Sequence, residues 1–394
     1  MGGPGAVVTG ASYRALAVVR SLGRHGIPVR VVRSDEHAVA SASRYAGPRR
    51  RWPAEGDDEA RVAYLVGLAD RDGLDGWVLI PTHDEEAALV ARNHRTLARC
   101  FRLTTPPWET LRTAYDKRRT HELAARLGIA QPWTTFPAGP EDLEQAHGRF
   151  PVLIKPAYKE HLNRLTVDKA WRVDDAGALA RRYVEACELL DPSVVMVQEL
   201  IPGDGATQLS VAVLCADGEV LASLTARRVR QFPMDFGRAS SHVETIDDPG
   251  LEGDVRRLIA ATGFTGLVEA EFKRDERTGE NRLLDVNPRA WGWQSLCGRA
   301  GVDFPYLLWL MASGKPVPPV RAVSGVRWVR MTTDLLAVTG EVRAGRLSAR
   351  AYLRSLQRPL EFAVFAADDP LPSLVGPLAT VRLLGGRLAE GRPL

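Results

Sequence analysis

Two short segments carry oxygen-bearing side chains in a pattern that suits a divalent cation. Glu269-Ala270-Glu271-Phe272-Lys273 is followed by Leu284-Asp285-Val286-Asn287-Pro288-Arg289. On a β-strand, residues two apart share a face, so Glu269 and Glu271 point one way, as do Asp285 and Asn287. If the segments pair, Glu271, Asp285 and Asn287 form one acidic face. Mg2+ takes few carboxylates and completes its shell with phosphate oxygens and water, so this set suits it. Arg289 follows on the same side if the strand direction persists, placed to meet an anion. A solvated hairpin with alternating polar residues has the same appearance, so other residues must decide.

Two lysines are the next candidates. Lys117 lies in Tyr115-Asp116-Lys117, and Lys155 ends the apolar run Leu153-Ile154-Lys155-Pro156. A lysine ending a buried strand is costly unless it meets an anion or water; an edge lysine that snorkels is the bland alternative. A third element is the apolar run 194–197, which leads into Gln198, Glu199, Leu200 and Ile201 and then Pro202-Gly203. Such a turn leaves backbone groups free to hydrogen-bond a flat heterocycle, although a plain strand end reads alike. Other chemistries are absent. There is no GxxxxGK[ST], no HExxH and no GxSxG. Gly10-Ala11-Ser12 lacks the second and third glycines of a dinucleotide fingerprint and reads as a tight strand-to-helix turn.

The elements that must position these residues follow from periodicity. Strands are expected at 6–9, 28–32 and 77–80, alternating with helices at 12–24, near 57–70 and from Asp84. That βαβαβ rhythm predicts a parallel doubly wound sheet. After Thr105-Pro106-Pro107 a helical pattern runs from Trp108 to Leu127. Strands follow at 150–155, 169–173 and 194–198, with a helix at 175–190 and a polar loop over 156–168. Residues 209–215 and 219–230 flank Ala216-Asp217-Gly218, a strong hairpin signal. A helix at 250–262 precedes the hairpin 266–273 and 281–286. On the strand 219–230, Arg228 and Arg230 are expected to share one face and Arg227 the other.

Length and composition bound the class. The 394 residues are 45% hydrophobic and 25% charged, with a net charge of +4. These are globular values, and the charge excess argues for no nucleic-acid partner. Cys100, Cys187, Cys215 and Cys297 are too dispersed for a zinc knuckle or a redox pair, so a reducing compartment is expected. The N-terminus lacks the features of a signal peptide, and the longest apolar candidate, 304–312, is too short for a bilayer. A cytoplasmic protein with no membrane partner is the expectation.

Taken in order, Lys117, Lys155, the 198–201 segment, Glu271, Asp285, Asn287 and Arg289 resemble the ATP-grasp superfamily over residues 1 to about 312, and more narrowly its carboxylate–amine ligase group. Pro81-Thr82-His83-Asp84-Glu85, Arg227-Arg228-Val229-Arg230-Gln231 and Ala367-Asp368-Asp369-Pro370 add to that likeness. The resemblance implies a mixed α/β and α+β ATP-grasp fold with an N-terminal Rossmann-like pre-grasp domain. The implied division is a pre-grasp domain at 1–106, a lid at 107–195, a catalytic part with the metal hairpin at 196–312 and an extension at 313–394. It implies ATP held by Lys117 and Lys155 at its phosphates and by Gln198, Glu199, Leu200 and Ile201 at adenine. Asp204 is assigned to the ribose by proximity. Mg2+, or Mn2+ in its place, would sit on Glu271, Asp285 and Asn287, and Arg289 with Arg228 would hold a carboxylate or acyl-phosphate.

The sequence departs from the family pattern in two places. Asp285 stands where Glu is usual, and residues 157–168 contain no glycine. Phosphate closure would there use Lys159, His161 or Arg164. Glu244, His242 and Asp84 are candidate proton acceptors, and Trp291 or Trp293 a pocket wall. The implied reaction joins a small carboxylate to an amine, free or on a carrier protein, through an acyl-phosphate with release of ADP and phosphate. A bicarbonate-using carboxylase and a non-catalytic nucleotide-binding regulator are the alternatives. A homodimer is compatible with all three.

Overall fold

The computed structural model describes residues 3–33, 39–53, 57–158, 163–232, 234, 239–357 and 359–376. Lys159 and His161 lie outside the described residues.

The N-terminal layer is built as its periodicity predicts. β1 (Ala6–Thr9), β2 (Val29–Arg33), β3 (Arg50–Arg51), β4 (Trp77–Pro81) and β5 (Phe101–Leu103) form a parallel sheet ordered β3-β2-β1-β4-β5. The helices α1 (Tyr13–Arg24), α2 (Asp58–Asp72), α3 (Asp84–Arg92) and α4 (His94–Leu97) connect them. β1 is buried along its whole length, as a strand covered on both faces must be. The strand order reverses between β1 and β4, and both run directly into a helix there. Gly10 makes the first of those turns with φ +87, and a Cβ on it would lie 2.5 Å from the Thr82 hydroxyl.

The helical run from Trp108 to Leu127 is two helices, α5 (Trp108–Tyr115) and α6 (Lys117–Arg126). Asp116 breaks it. Its backbone is extended (φ −96, ψ 113) and its carboxylate accepts from the Arg118 N–H, capping α6. Lys117 is thereby the first residue of a helix, and its N–H donates to the Ala157 carbonyl at 3.0 Å.

A four-stranded antiparallel sheet follows, ordered β6-β9-β7-β8. It comprises β6 (Thr134–Thr135), β7 (Val152–Pro156), β8 (Trp171–Val173) and β9 (Val195–Glu199), with α7 (Arg164–Asp168) inside the expected loop and α8 (Ala176–Leu189) packed beneath. Val152, Ile154, Val195 and Val197 face a core shared with Leu179 and Tyr183. The period of two therefore turns Leu153, Lys155 and Gln198 to the opposite face.

The central sheet has seven strands, ordered β14-β13-β10-β11-β12-β15-β16. β10 (Gln208–Ala216) and β11 (Glu219–Phe232) form the expected hairpin, with Asp217 and Gly218 both at positive φ, as a tight primed turn requires. β12 (Ala239–Ile246) was not anticipated; its Ser, His, Thr and Glu residues carry little apolar signal. α9 (Pro249–Thr262) precedes β13 (Gly266–Asp275) and β14 (Glu280–Asn287), the expected second hairpin. α10 (Gln294–Arg299) and α11 (Phe304–Ala312) then join the core under β1 and α1, where Val8, Leu16, Leu224, Trp291, Leu307 and Trp328 pack as one cluster.

The region after residue 313 is part of this body as far as it is described. β15 (Arg327–Val329) pairs with β12, and β16 (Leu360–Phe362) adds the last strand, with α12 (Met331–Arg343) and α13 (Ala349–Ser355) between them. Asp369 reaches back to the first layer. Its carboxylate accepts from Arg20 at 2.9 Å, from the Ser43 hydroxyl at 2.7 Å and from the Arg44 N–H at 2.9 Å.

Candidate active site

The three layers enclose one large cavity of about 520 Å³. The central sheet forms its floor, the four-stranded sheet its roof and the helix starts after β1 and β4 one end.

The floor follows from strand register. β13 and β14 are antiparallel, with Glu271 opposite Asp285 and Glu269 opposite Asn287. All four side chains therefore share a face and line the cavity. Asn287 donates through Nδ2 to Glu271 at 2.8 Å, while its Oδ1 accepts from Arg289 at 2.9 Å. Arg228, on β11, donates to Glu271 at 3.3 Å and to Gln231 at 2.8 Å, and also contacts Gln208. Glu269 accepts from the Trp293 indole at 2.8 Å. Burial and the neighbouring Glu271 carboxylate push the Glu269 carboxyl up.

The cations face this floor from above. Lys117 Nζ lies 2.8 Å from Asp285 Oδ1. Burial disfavours that ammonium, but Asp285, with Asp84 and Glu271, outweighs it and raises its pKa. Lys155 lines the same cavity from β7. Burial first, and the Lys117 charge second, push it down to about 8. Beyond it, Gln198, Glu199, Leu200 and Ile201 also line the cavity. The Gln198 amide lies 3.2 Å from His121 Nε2 and donates to the Thr134 hydroxyl at 2.9 Å. His121 contacts Gln131 on its other nitrogen, and burial with Lys155 pushes its pKa down to about 4, so it is neutral near pH 7.

Arg289 crosses to the N-terminal layer. Its Nε and Nη2 hold Asp84 at 2.8 and 3.1 Å, Nη2 also reaches Asn287, and Nη1 donates to the Ala290 carbonyl at 3.1 Å. Burial opposes the Asp84 charge, but Arg289 wins and holds that carboxyl well below the usual carboxylate range. Asp84 is therefore a poor proton acceptor.

Several expectations are corrected. Asp204 is exposed, caps the short turn 205–207 through the Ala206 N–H at 2.7 Å, and does not line the cavity. Glu244 is held by Arg227 at 2.7 Å and Arg327 at 3.2 Å, and His242 bonds the Ser355 carbonyl at 3.0 Å; neither faces the cavity. Arg228 and Arg230 do not share a face. The ladder slips between them, so Arg228 lies with Gln231 in the cavity while Arg230 pairs with buried Asp334 at 2.8 Å. Arg164 is bound to Glu185 and lies over the Trp171 ring, away from the cavity. Trp291 is a core residue; only Trp293 reaches the lining. Residues whose positions the sequence did not signal include Tyr13, Arg14, Lys169 and Gln208, all on the cavity wall.

The donors fit a hard divalent cation. Glu271 and Asp285 offer oxygens across one rung of the ladder, with Asn287 beside them, and Lys117 stands where positive charge at Asp285 is already favoured. Among the described residues no cluster of three His, Cys, Asp or Glu side chains is placed to hold a metal. Two carboxylates and an amide leave most of a shell to be completed by other oxygens.

Part of the sequence and the fold as a whole are similar to known proteins. A family model described as "ATP-grasp in the biosynthetic pathway with Ter operon" matches residues 191–334. The large chain of carbamoyl phosphate synthase from Thermus thermophilus is 27% identical over 267 residues, which are 62% of this chain and 25% of that protein. The chain thus spans about a quarter of the length of the curated relatives it matches. Among solved structures, L-amino acid ligase from Bacillus licheniformis aligns with TM-score 0.60 and 14% identity over 81% of this chain and 78% of its own. Biotin carboxylase from Campylobacter jejuni, in its beta-gamma-ATP complex, aligns with TM-score 0.63 and 15% identity over 80% and 73%. The fold is therefore that of ATP-grasp enzymes, and residues 191–334 match an ATP-grasp family model. Among the described residues no helix is long and apolar enough to cross a membrane.

Proposed function

We propose that the protein is an ATP-dependent ligase of the carboxylate–amine type, which forms an amide bond between a small carboxylate and an amine and releases ADP and phosphate. The observation that carries this reading is the single cavity in which Lys117 and Lys155 face Glu271, Asp285 and Asn287, with the 198–201 segment at one end and Arg289 at the other.

The chemical difficulty is to bring a carboxylate against an anionic triphosphate, which needs fixed positive charge. Lys155 supplies it to the phosphates from the roof, and Lys117 from the start of α6. Glu271, Asp285 and Asn287 would hold Mg2+, or Mn2+, which when bound would supply neutralisation of phosphate charge. Gln198 presents its backbone and its oriented amide to the adenine, fixed by neutral His121 and Thr134. Arg228 and Arg289 border the floor where the acyl-phosphate must form, and Arg289 holds Asn287 in register. Catalysis on this reading is positioning plus electrostatics. The roof sheet excludes water from the activated acyl group until the amine attacks.

The test is a panel of carboxylates and amines with Mg-ATP, scored by phosphate release and product mass. ADP formation that requires both a carboxylate and an amine supports the reading; AMP as product would exclude it. Lys155→Ala and Asn287→Ala are expected to lower turnover by about 100-fold or more while circular dichroism still reports the folded state. A bicarbonate-using carboxylase is the second reading, favoured by the likeness to biotin carboxylase. It predicts ADP formation driven by bicarbonate with no amine present.

A further inference from the structure

The cavity contains one guanidinium that the site as described does not use. Arg14 lines it from the first turn of α1. Its Nε is sealed from solvent without a hydrogen-bond partner, and the side chain makes no hydrogen bond or ion pair among the described residues. Arg289, by contrast, has four of its five N–H groups engaged, by Asp84 twice, Asn287 and the Ala290 carbonyl. A half-buried guanidinium without a hydrogen-bonded partner is costly, and a bound anion removes that cost.

The surroundings point the same way. The cavity end where Arg14 stands lies outside the carboxyl ends of β1 and β4, at the point where the strand order reverses, the usual ligand crevice of an open parallel sheet. Two helices start there, and they differ. α3 begins with Asp84, Glu85 and Glu86, and Glu86 accepts from the Thr9 hydroxyl at 2.9 Å. α1 has no acid in its first turn, and its N-cap Ser12 makes no capping bond; Ser12 is 6% exposed and its hydroxyl has no hydrogen-bond partner. The positive end of α1 thus carries no acid of its own, beside a guanidinium whose charge acts on Asp84 but which no side chain hydrogen-bonds, Asp84 being held by Arg289.

Resting on the ligase reading above, we propose that Arg14, at the start of α1, binds a carboxylate of the organic substrate through its planar fork and so selects anionic substrates. One guanidinium matches the single charge and planar geometry of a carboxylate.

The test is calorimetric titration of wild type, Arg14→Met and Arg14→Lys with acetate, succinate, L-alanine, L-glutamate and inorganic phosphate, with and without a non-hydrolysable Mg-ATP analogue. At least one carboxylate is expected to bind wild type, and to lose about 10-fold or more in affinity in Arg14→Met, the loss of a charge-assisted pair. Arg14→Lys should recover only part, because an ammonium lacks the fork. Nucleotide affinity should stay within about twofold in both variants, which also reports that they fold. No carboxylate binding to wild type, unchanged carboxylate binding in Arg14→Met, or phosphate binding more tightly than every carboxylate would each overturn the assignment. Failure of wild type to bind nucleotide, with Arg14-dependent carboxylate binding intact, would remove the ligase reading and leave Arg14 in its role.

Discussion

At the scale of the residue, the most informative group is Lys155. It alternates on β7 with fully buried Ile154, so the strand that makes the roof core also delivers an ammonium into the cavity. Burial and the nearby Lys117 hold its pKa at about 8 against an ordinary 10.5. The free protein therefore loses that proton as pH rises through about 8, while bound triphosphate would restore it. Binding of Mg-ATP is expected to take up protons at pH 8 to 9 and to weaken above that range. Calorimetry in buffers of different ionisation enthalpy measures the uptake. Lys155→Arg should abolish it, because arginine keeps its charge there; equal uptake in that variant would assign the proton elsewhere. Arg289 shows a different logic. Its charge is spent on Asp84 and Asn287, so its visible work is to tie the N-terminal layer to the floor.

Elements explain why these residues meet. Asp116 divides what reads as one helix into two and makes Lys117 a helix-start residue tied to Ala157, two residues past Lys155. Asp116→Ala is expected to cost about 1 kcal/mol through loss of the cap, read from thermal unfolding, and to weaken Mg-ATP binding through Lys117. Weaker stability with unchanged nucleotide affinity would show that the break does not position the lysine. The slip in β11 between Arg228 and Arg230 acts similarly. It sends one arginine to the cavity floor and the other under α12, where Asp334 is fully buried. Asp334→Ala leaves a buried guanidinium unpaired and is expected to cost about 3–5 kcal/mol, with Arg230→Met in the same chain recovering much of it. A thermal or denaturant series on the single and double variants decides this; no recovery in the double variant would refute the pairing argument.

At the scale of the whole molecule, one apolar core runs from β1 and α1 through α10 and α11 to β15. The cavity end made by α1 and α3 is therefore held against the floor by packing, in addition to the Arg289–Asp84 pair. The tail reinforces this. Asp369 is 1% exposed and its partner Arg20 is 5% exposed, inside a helix of the first layer. Asp369→Ala is expected to destabilise the protein by a similar few kcal/mol and to expose the tail to protease sooner than the core. Limited proteolysis with mass readout checks it; first cleavage elsewhere would show that the tail is not the element released.

The sequence alone determined the alternating first layer, both hairpins of the central sheet and the order in which Lys117, Lys155, Glu271, Asp285 and Asn287 arrive. Those features are local: strand and helix periods, a primed turn and two-residue spacing are carried by neighbours along the chain. Tertiary structure alone decided the partners. A slip of one residue put Arg230 out of the cavity, a cap took Asp204 out of it, and β12 formed from residues with little apolar pattern because β11 and β15 supply its hydrogen bonds. Arg14 carried no signal at all, since an arginine on the first turn of a helix is ordinary. Its meaning comes from what the folded chain leaves opposite it, and only the packing of separate layers settles which charges are neutralised and which are left waiting for a ligand.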